Sequence, residues 1–352
     1  MRNDSVVTVA QIGEFEDVID VRSPAEYALD HLPGAVNYPV LDNDQRVRVG
    51  TLYASSPFEA RKLGAALVAR NIARHLEESF ASQPSSWKPL VYCWRGGKRS
   101  GSMVLIMREI GWRAATLQGG YQSWRRAVVA ELQTLPVNLE FRVVCGPTGS
   151  GKSLLLHELA AQGAQVLDLE GLAKHRGSVL GGLPGDPQPT QKGFETGLYQ
   201  ALRAFQSGTP VFVEAESRRI GSVHLPTPLL ERMRAAPCLR VEPPLAERVR
   251  FLIDEYRHLT QHPELLRERL GQLATLQPRE VIAHWMACVD AGDWTALTAD
   301  LLEKHYDPLY RRSMASNYPG SDRQVLRPES LSPPALAASA AQVLRSGHAV
   351  AA

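Results

Sequence analysis

Ten consecutive residues, Val91 to Ser100 (VYCWRGGKRS), put one cysteine at the end of an apolar run and follow it with two glycines and three cations. A strand ending in Cys93, a glycine-bearing turn and a helix beginning near Ser100 would direct backbone N–H groups and a helix N-terminus inward. With Arg95, Lys98 and Arg99 on the same turn, the thiolate is favoured over the thiol, and an oxyanion can be held against the sulfur. Cys93 is therefore the candidate nucleophile. Arg95, Gly96, Gly97, Lys98, Arg99 and Ser100 form its candidate anion cradle. The spacing C-x5-R makes a loop long enough to encircle a tetrahedral, phosphate-like group.

A second loop carries different chemistry. Gly146, Pro147, Thr148, Gly149, Ser150, Gly151, Lys152 and Ser153 spell a full G-x-x-x-x-G-K-S between the apolar strand FRVVC and the helix SLLLHELAAQG. In such a loop the glycines let the backbone wrap phosphates, the lysine neutralises them and the serine can ligate Mg²⁺. The motif reads a diphosphate and does not specify a nucleotide. Asp168, Glu170, Glu214 and Glu216 stand at the ends of later apolar strands and are candidates for metal or base roles.

The elements around these loops imply an α/β protein of two domains. At 352 residues the chain exceeds a comfortable single domain, and its 44% hydrophobic content is enough to build real cores. Strand and helix signals alternate in both halves, which predicts parallel sheets covered on both faces. In the first half, DVIDVRS, AVNYP and PLVYC read as strands. The stretch Pro57 to Ser82 repeats Val68, Ile72, Leu76 and Phe80 at helical spacing. The first domain is placed at 1–132, a linker at 133–140 and the second domain at 141–316. The last of these is helical from Pro244, with Trp285, Val289, Leu297, Leu301 and Leu302 as core. The tail, 317–352, is rich in Pro, Ser and Ala and is expected to be loosely held, with one potential helix at Pro334 to Leu344.

Composition excludes several classes. A net charge of +2 gives no argument for nucleic acid, so any basic surface must be a local patch. Cys93, Cys145, Cys238 and Cys288 lie far apart without a C-x-x-C pair, against a zinc site or disulfide framework and in keeping with a reducing compartment. The N-terminus has no apolar signal core, and no apolar run approaches the length of a membrane span. A cytoplasmic protein with no membrane partner is expected.

Around the cysteine loop the chain resembles rhodaneses. VIDVRSPAEYALDHLPGAVNYP is similar to the family's D-V-R-x-x-x-E-Y-x-x-x-H-I-P-G-A-x-N stretch, and LQGGYQSW to its closing L-x-G-G-x-x-x-W. One departure is the loop itself. Rhodaneses commonly have a loop one residue shorter, suited to a bare sulfur atom, whereas cysteine-type protein phosphatases use the longer one. A rhodanese-like domain ahead of a P-loop NTPase-like domain resembles the tRNA 2-selenouridine synthase family, also described as tRNA geranyl-2-thiouridine synthases. LDLEGLAKHRGSVLGG, PQPTQKGFE, VFVEAESRRIGSVHLP and EKHYDPLYRRS look like that family's signature segments, as does the insert NDQRVRVGTLY.

The resemblance implies a two-step modification of wobble 2-thiouridine in tRNA. The sulfur is first geranylated from geranyl diphosphate held by the second loop, and is then replaced by selenium from selenophosphate held at Cys93. Cys93 would take the selenium while Arg95, Lys98, Arg99 and the loop amides hold the phosphate. Mg²⁺ would accompany the diphosphate at Ser153, no cofactor would be tightly bound, and an enzyme supplying selenophosphate would be a partner. By the same resemblance Asp168, Glu170, His175, Arg176, Ser178, Gln191, Glu195, Glu214, Glu216, Ser217 and Arg218 would line the second site. For tRNA, the candidates are Arg61, Lys62, Arg70 and Arg74 with Arg125, Arg126, Arg311 and Arg312, and Tyr306 and Tyr310 as stacking platforms. Two other readings fit the loops. One is an ATP-dependent tRNA sulfurtransferase using a Cys93 persulfide, and the other a regulatory protein that senses an oxyanion and a nucleotide.

Overall fold

A computed structural model of the chain describes residues 5–176, 186–318 and 324–348. It forms two compact units, Met1–Leu132 with Pro189–Tyr199, and Gln133–Gln188 with Gln200–Ala352.

The first unit contains β1 (Val6–Val7), β2 (Val18–Asp20), α1 (Pro24–Leu29), β3 (Ala35–Asn37), α2 (Asn43–Ser55), α3 (Pro57–Glu78), β4 (Leu90–Tyr92), α4 (Lys98–Ile110), β5 (Ala115–Leu117) and α5 (Gly120–Thr134). Its sheet has the order β1–β5–β4–β2–β3 and every pair is parallel. The central strands are buried along their whole length, as expected where helices cover both faces. Ile72 and Phe80 are buried in one core with Val91, Met103 and Met107, and Val68 and Leu76 pack against it. The predicted helix thus exists, although it ends at Glu78 and Phe80 packs from the turn beyond. Helix α2 lacks an apolar stripe, and its start is set by a capping box of Asp42 and Gln45. Strand β1 has two residues, too few for an alternation to show.

The second unit follows with β6 (Phe141–Cys145), α6 (Lys152–Ala161), β7 (Gln165–Leu167), α7 (Leu169–Ala173), α8 (Gln191–Ala204, whose first nine residues belong to the first unit), β8 (Val211–Glu214), the hairpin β9 (Arg219–Ile220) and β10 (Val223–His224), α9 (Thr227–Ala235) and β11 (Cys238–Val241). Helices α10 (Leu245–Glu255), α11 (Arg257–Thr260), α12 (Pro263–Gly271), α13 (Arg279–Ala291), α14 (Trp294–Leu301) and α15 (Asp307–Asn317) come next, with a π-helical turn at Leu302–Tyr306. Trp285, Val289, Leu297 and Leu301 are buried together among these helices, and Leu302 is buried as well.

The tail departs from expectation. Residues Gln324–Leu326 form β12, which pairs in parallel with β11, giving the sheet order β12–β11–β6–β8–β7. Helix α16 (Pro333–His348) packs on α6. Leu326, Leu331, Leu336, Ala340 and Val343 are buried in the same core as Leu155 and Leu159. The physical reason is that β11 would otherwise be an unpaired sheet edge, while the alanine-rich helix offers small residues for close approach. The predicted linker is also structured. Helix α5 runs to Thr134, a 3₁₀ turn covers Leu135–Asn138, and Pro136 and Leu139 are buried.

Candidate active sites

The thiol of Cys93 lies at the end of β4, in a side chain only 3% exposed. Its Sγ accepts hydrogen bonds from the Gly97 N–H and the Ser100 hydroxyl, each at 3.3 Å. Burial pushes the thiol pKa up, but these hydrogen bonds and the charge of Arg99 outweigh it and hold Cys93 below the ordinary thiol value. Helix α4 starts at Lys98 with Gly97 as its N-cap, so its N-terminus points at the sulfur.

The rhodanese-like segments position this loop. Glu26 takes Arg99 in a two-pronged ion pair at 2.7 and 3.3 Å. Burial raises the Glu26 pKa, yet the Arg99 hydrogen bond and charge bring it below the usual carboxylate value. Asp20 pairs with the buried Arg22 and accepts from the Tyr92 hydroxyl at 2.7 Å. From below, the Tyr121 N–H donates to the Cys93 carbonyl and the Gln122 N–H to that of Trp94. Gly120 adopts φ +56°, and a Cβ there would lie 2.3 Å from the Cys93 oxygen. That close approach is why the segment needs glycine. Among the predicted cradle residues, Arg99 is part-buried and Ser100 fully buried, whereas Arg95 and Lys98 are exposed at the rim.

Peptide-resolved alkylation by iodoacetamide reads the thiol directly. A depressed pKa places the rise of Cys93 reactivity with pH below the midpoint of a free thiol, about 8.5. Ser100→Ala removes one stabilising hydrogen bond, so its midpoint is expected to move up. An unchanged midpoint would mean that the hydroxyl does not stabilise the thiolate.

The second loop connects β6 to α6 and borders a cavity of about 560 Å³. Gly149 and Gly151 adopt φ +77° and +76°, the left-handed region that favours glycine. Lys152 Nζ donates to the Gly146 carbonyl at 3.0 Å, so the ammonium sits inside the loop. The Ser153 hydroxyl donates to Glu170 at 3.0 Å, and the Glu170 N–H donates to Glu214 at 2.7 Å.

Electrostatics here run opposite to those at Cys93. Glu214 is fully buried, and burial followed by repulsion from Glu170, Asp168 and Glu216 raises its pKa well above the usual range despite the hydrogen bond from Glu170. Glu216 is pushed up to about 8, first by burial and then by Glu170. A proton or a cation relieves this crowding. One Glu214 oxygen is buried with no hydrogen-bond partner, and the groups that Ser153, Glu170 and Glu216 bring to the cavity wall are oxygens. Those features fit Mg²⁺, which typically takes one or two carboxylates plus substrate phosphates. Among the described residues no three His, Cys, Asp or Glu side chains form a metal cage by themselves.

The second-site candidates divide. Asp168, Glu170, His175, Arg176 and Glu216 line the cavity. Asp168 also caps α7 by accepting from the Gly171 N–H at 2.7 Å, and burial lowers the His175 pKa against the pull of Glu170. Gln191 and Glu195 do not line it. They lie in the first unit, where Glu195 pairs with the part-buried Arg125 and Gln191 donates to Glu195. Ser217 and Arg218 are exposed on the loop after β8, with the Ser217 hydroxyl donating to the Arg219 carbonyl. Ser178 lies outside the described residues.

The tRNA candidates divide too. Arg61, Lys62, Arg70, Arg74, Arg126, Arg311 and Arg312 are exposed. Arg125 is engaged by Glu195. Tyr306 and Tyr310 line the cavity at the second loop, and burial raises the pKa of both.

Two features escaped the sequence reading. Arg248, only 6% exposed, donates to the Thr148 carbonyl of the loop at 2.9 Å and pairs with Asp307 at 2.6 and 3.0 Å. The cue was present, since Asp307 lies in the quoted segment EKHYDPLYRRS. Beside the loop an apolar pocket of about 70 Å³ is walled by Leu252, Leu266, Leu297, Leu301 and Leu302. It shares Thr148, Leu252, Tyr256 and Tyr306 with the cavity at the second loop.

Two parallel-sheet units, one carrying a cysteine at the start of a strand–loop–helix turn and the other a glycine-rich strand–loop–helix turn, define a rhodanese-like domain joined to a P-loop domain. Comparison with known proteins agrees. Residues 7–127 match the rhodanese-like domain family, and residues 139–277 the tRNA 2-selenouridine synthase AAA domain. The chain is 35% identical to a tRNA 2-selenouridine synthase of Nitrosomonas europaea, over 75% of its own length and 70% of that protein. With the synthase of Alcanivorax borkumensis it shares 31% identity over 92% and 98% of the two chains. This chain belongs to the tRNA 2-selenouridine synthase family. Among the described residues no helix is long and apolar enough to cross a membrane.

Proposed function

We propose that this protein is a tRNA-modifying transferase that converts 2-thiouridine in tRNA to 2-selenouridine in two steps, one at each site. The observation that carries the first step is an apolar pocket beside the loop that shares the wall residues Thr148, Leu252, Tyr256 and Tyr306 with the cavity at the loop. A diphosphate at the loop with a hydrocarbon tail turned toward the pocket's leucines fits the neighbouring polar and apolar walls, which describes geranyl diphosphate better than a nucleotide. Lys152 and the loop amides hold the diphosphate as the thiocarbonyl sulfur attacks the first carbon of the chain and the carbon–oxygen bond breaks. Ser153 and Glu170, the latter held by Glu214, would hold Mg²⁺, which when bound supplies positive charge to the departing diphosphate. Arg248 fixes the Thr148 end of the loop.

The second step belongs to Cys93. Its loop holds selenophosphate, with the α4 N-terminus, Arg99 and the rim cations Arg95 and Lys98 facing the anion. Geranylation prepares the nucleoside for this step, because a geranylthiolate leaves carbon more readily than the sulfur of a thiocarbonyl does. The alkylated sulfur is exchanged for selenium.

Calorimetry separates this reading from an ATP-driven sulfurtransferase. Geranyl diphosphate is expected to bind more tightly than ATP, since burial of its chain adds about 25 cal/mol per Å² of apolar surface. Tight ATP binding with no geranyl diphosphate binding would overturn the first step.

A further inference from the structure

We infer that the atom attacked by the Cys93 thiolate is phosphorus, so that this rhodanese-like domain works as a phosphoryl acceptor and passes through a phosphocysteine. The proposal rests on the reading that selenophosphate binds this loop, and it makes the selenium-carrying role implied for Cys93 unnecessary. Two observations lead to it. The spacing Cys93 to Arg99 is C-x5-R, a loop long enough to encircle a tetrahedral group. Sγ is already held by two donors, the Gly97 N–H and the Ser100 hydroxyl. The Ser100 side chain is fully buried, and its one hydroxyl proton is shared between Sγ and the Gly97 carbonyl, each 3.3 Å from the oxygen.

Electron bookkeeping decides between the two electrophilic atoms. Thiosulfate can give its outer sulfur to a thiolate because sulfite leaves with the electron pair. If Cys93 attacked the selenium of selenophosphate, phosphorus would have to leave with that pair as phosphite, a reduction that no group here favours. Attack at phosphorus needs no redox change. The sulfur–phosphorus bond forms, the phosphorus–selenium bond breaks, and selenium departs with its electron pair as hydrogen selenide anion. That anion then displaces geranylthiolate from the base. Water attacks phosphocysteine, inorganic phosphate is released and the thiolate returns. The two hydrogen bonds to Sγ serve the last step, since donors that stabilise a thiolate also make it a better leaving group. Ser100 is thus assigned to the breakdown of the intermediate.

Inorganic thiophosphate, the sulfur analogue of selenophosphate, tests this without tRNA, because a phosphoryl group and a sulfur atom differ in mass. Rapid quench and peptide mass spectrometry of the full-length protein should find a phosphoryl group on Cys93, with sulfide and inorganic phosphate released. Cys93→Ser should carry no adduct. In Ser100→Ala the adduct should build up several-fold over wild type while phosphate release slows. A persulfide on Cys93 together with phosphite would overturn the inference. So would an absence of any Cys93 adduct in wild type and Ser100→Ala under conditions where the wild-type protein makes 2-selenouridine from geranylated tRNA and selenophosphate. A protein that forms the phosphoryl adduct yet never makes 2-selenouridine would instead refute the selenation reading, so the two failures are distinguishable.

Discussion

Cys93→Ser should stop 2-selenouridine formation, by about 10⁴-fold or more, as when the nucleophile of a catalytic unit is removed, and S-geranyl-2-thiouridine should accumulate in its place. The replacement keeps the shape of the side chain and both neighbours of Sγ, Gly97 and Ser100. It removes a soft, ionisable atom and supplies a hydroxyl that stays protonated at neutral pH. Geranylation, proposed to use the other loop, is expected to continue at the wild-type rate. Nucleoside analysis of tRNA from cells carrying the variant reads both products at once. Undiminished 2-selenouridine would remove the thiol from the mechanism.

Lys152→Ala should have the complementary effect. Its ammonium lies inside the loop against the Gly146 carbonyl, where it can meet negative charge developing on a departing diphosphate. Loss of such a preorganised donor typically costs about 10²–10³-fold in rate, and geranylation should fall by at least that much. The rhodanese-like unit has its own sheet and core and does not depend on this residue. Pre-geranylated tRNA supplied to the variant should therefore still be converted to 2-selenouridine. Geranylation at the wild-type rate by Lys152→Ala would sink the assignment of the second loop.

What the sequence made legible was the pair of strand–loop–helix turns built from consecutive residues. Cys93 with its cradle, and Gly146 to Ser153, each need only one strand, one turn and one helix, so spacing alone reveals them. The tRNA surface and the second site were less legible because partners far apart in the chain decide them. Glu195 reads as a candidate for the second site until Arg125 is seen holding its carboxylate. Asp168 reads as a strand-end acid, but part of its hydrogen-bonding capacity caps α7. The apolar pocket joins leucines from α10, α12 and α14, and no local pattern separates a leucine lining a pocket from one filling a core. The helix expected at Pro334 to Leu344 forms within α16, but the firm hold on the tail was not legible. Composition does not disclose that β11, paired with β6 on one side, is an open edge on the other until β12 covers it. Arg248 lies in a stretch where a charged residue ordinarily marks a solvated helix face, yet it is buried against Thr148 and Asp307.

The central claim is that one chain performs two ordered steps at separate loops. Nucleoside mass spectrometry of 2-thiouridine-containing tRNA, incubated with the purified protein and one substrate at a time, tests it most directly. Geranyl diphosphate alone should yield S-geranyl-2-thiouridine, and later addition of selenophosphate should convert that product to 2-selenouridine. Selenophosphate alone should leave 2-thiouridine unchanged. Efficient formation of 2-selenouridine without geranyl diphosphate, or a requirement for ATP that geranyl diphosphate cannot replace, would contradict the account.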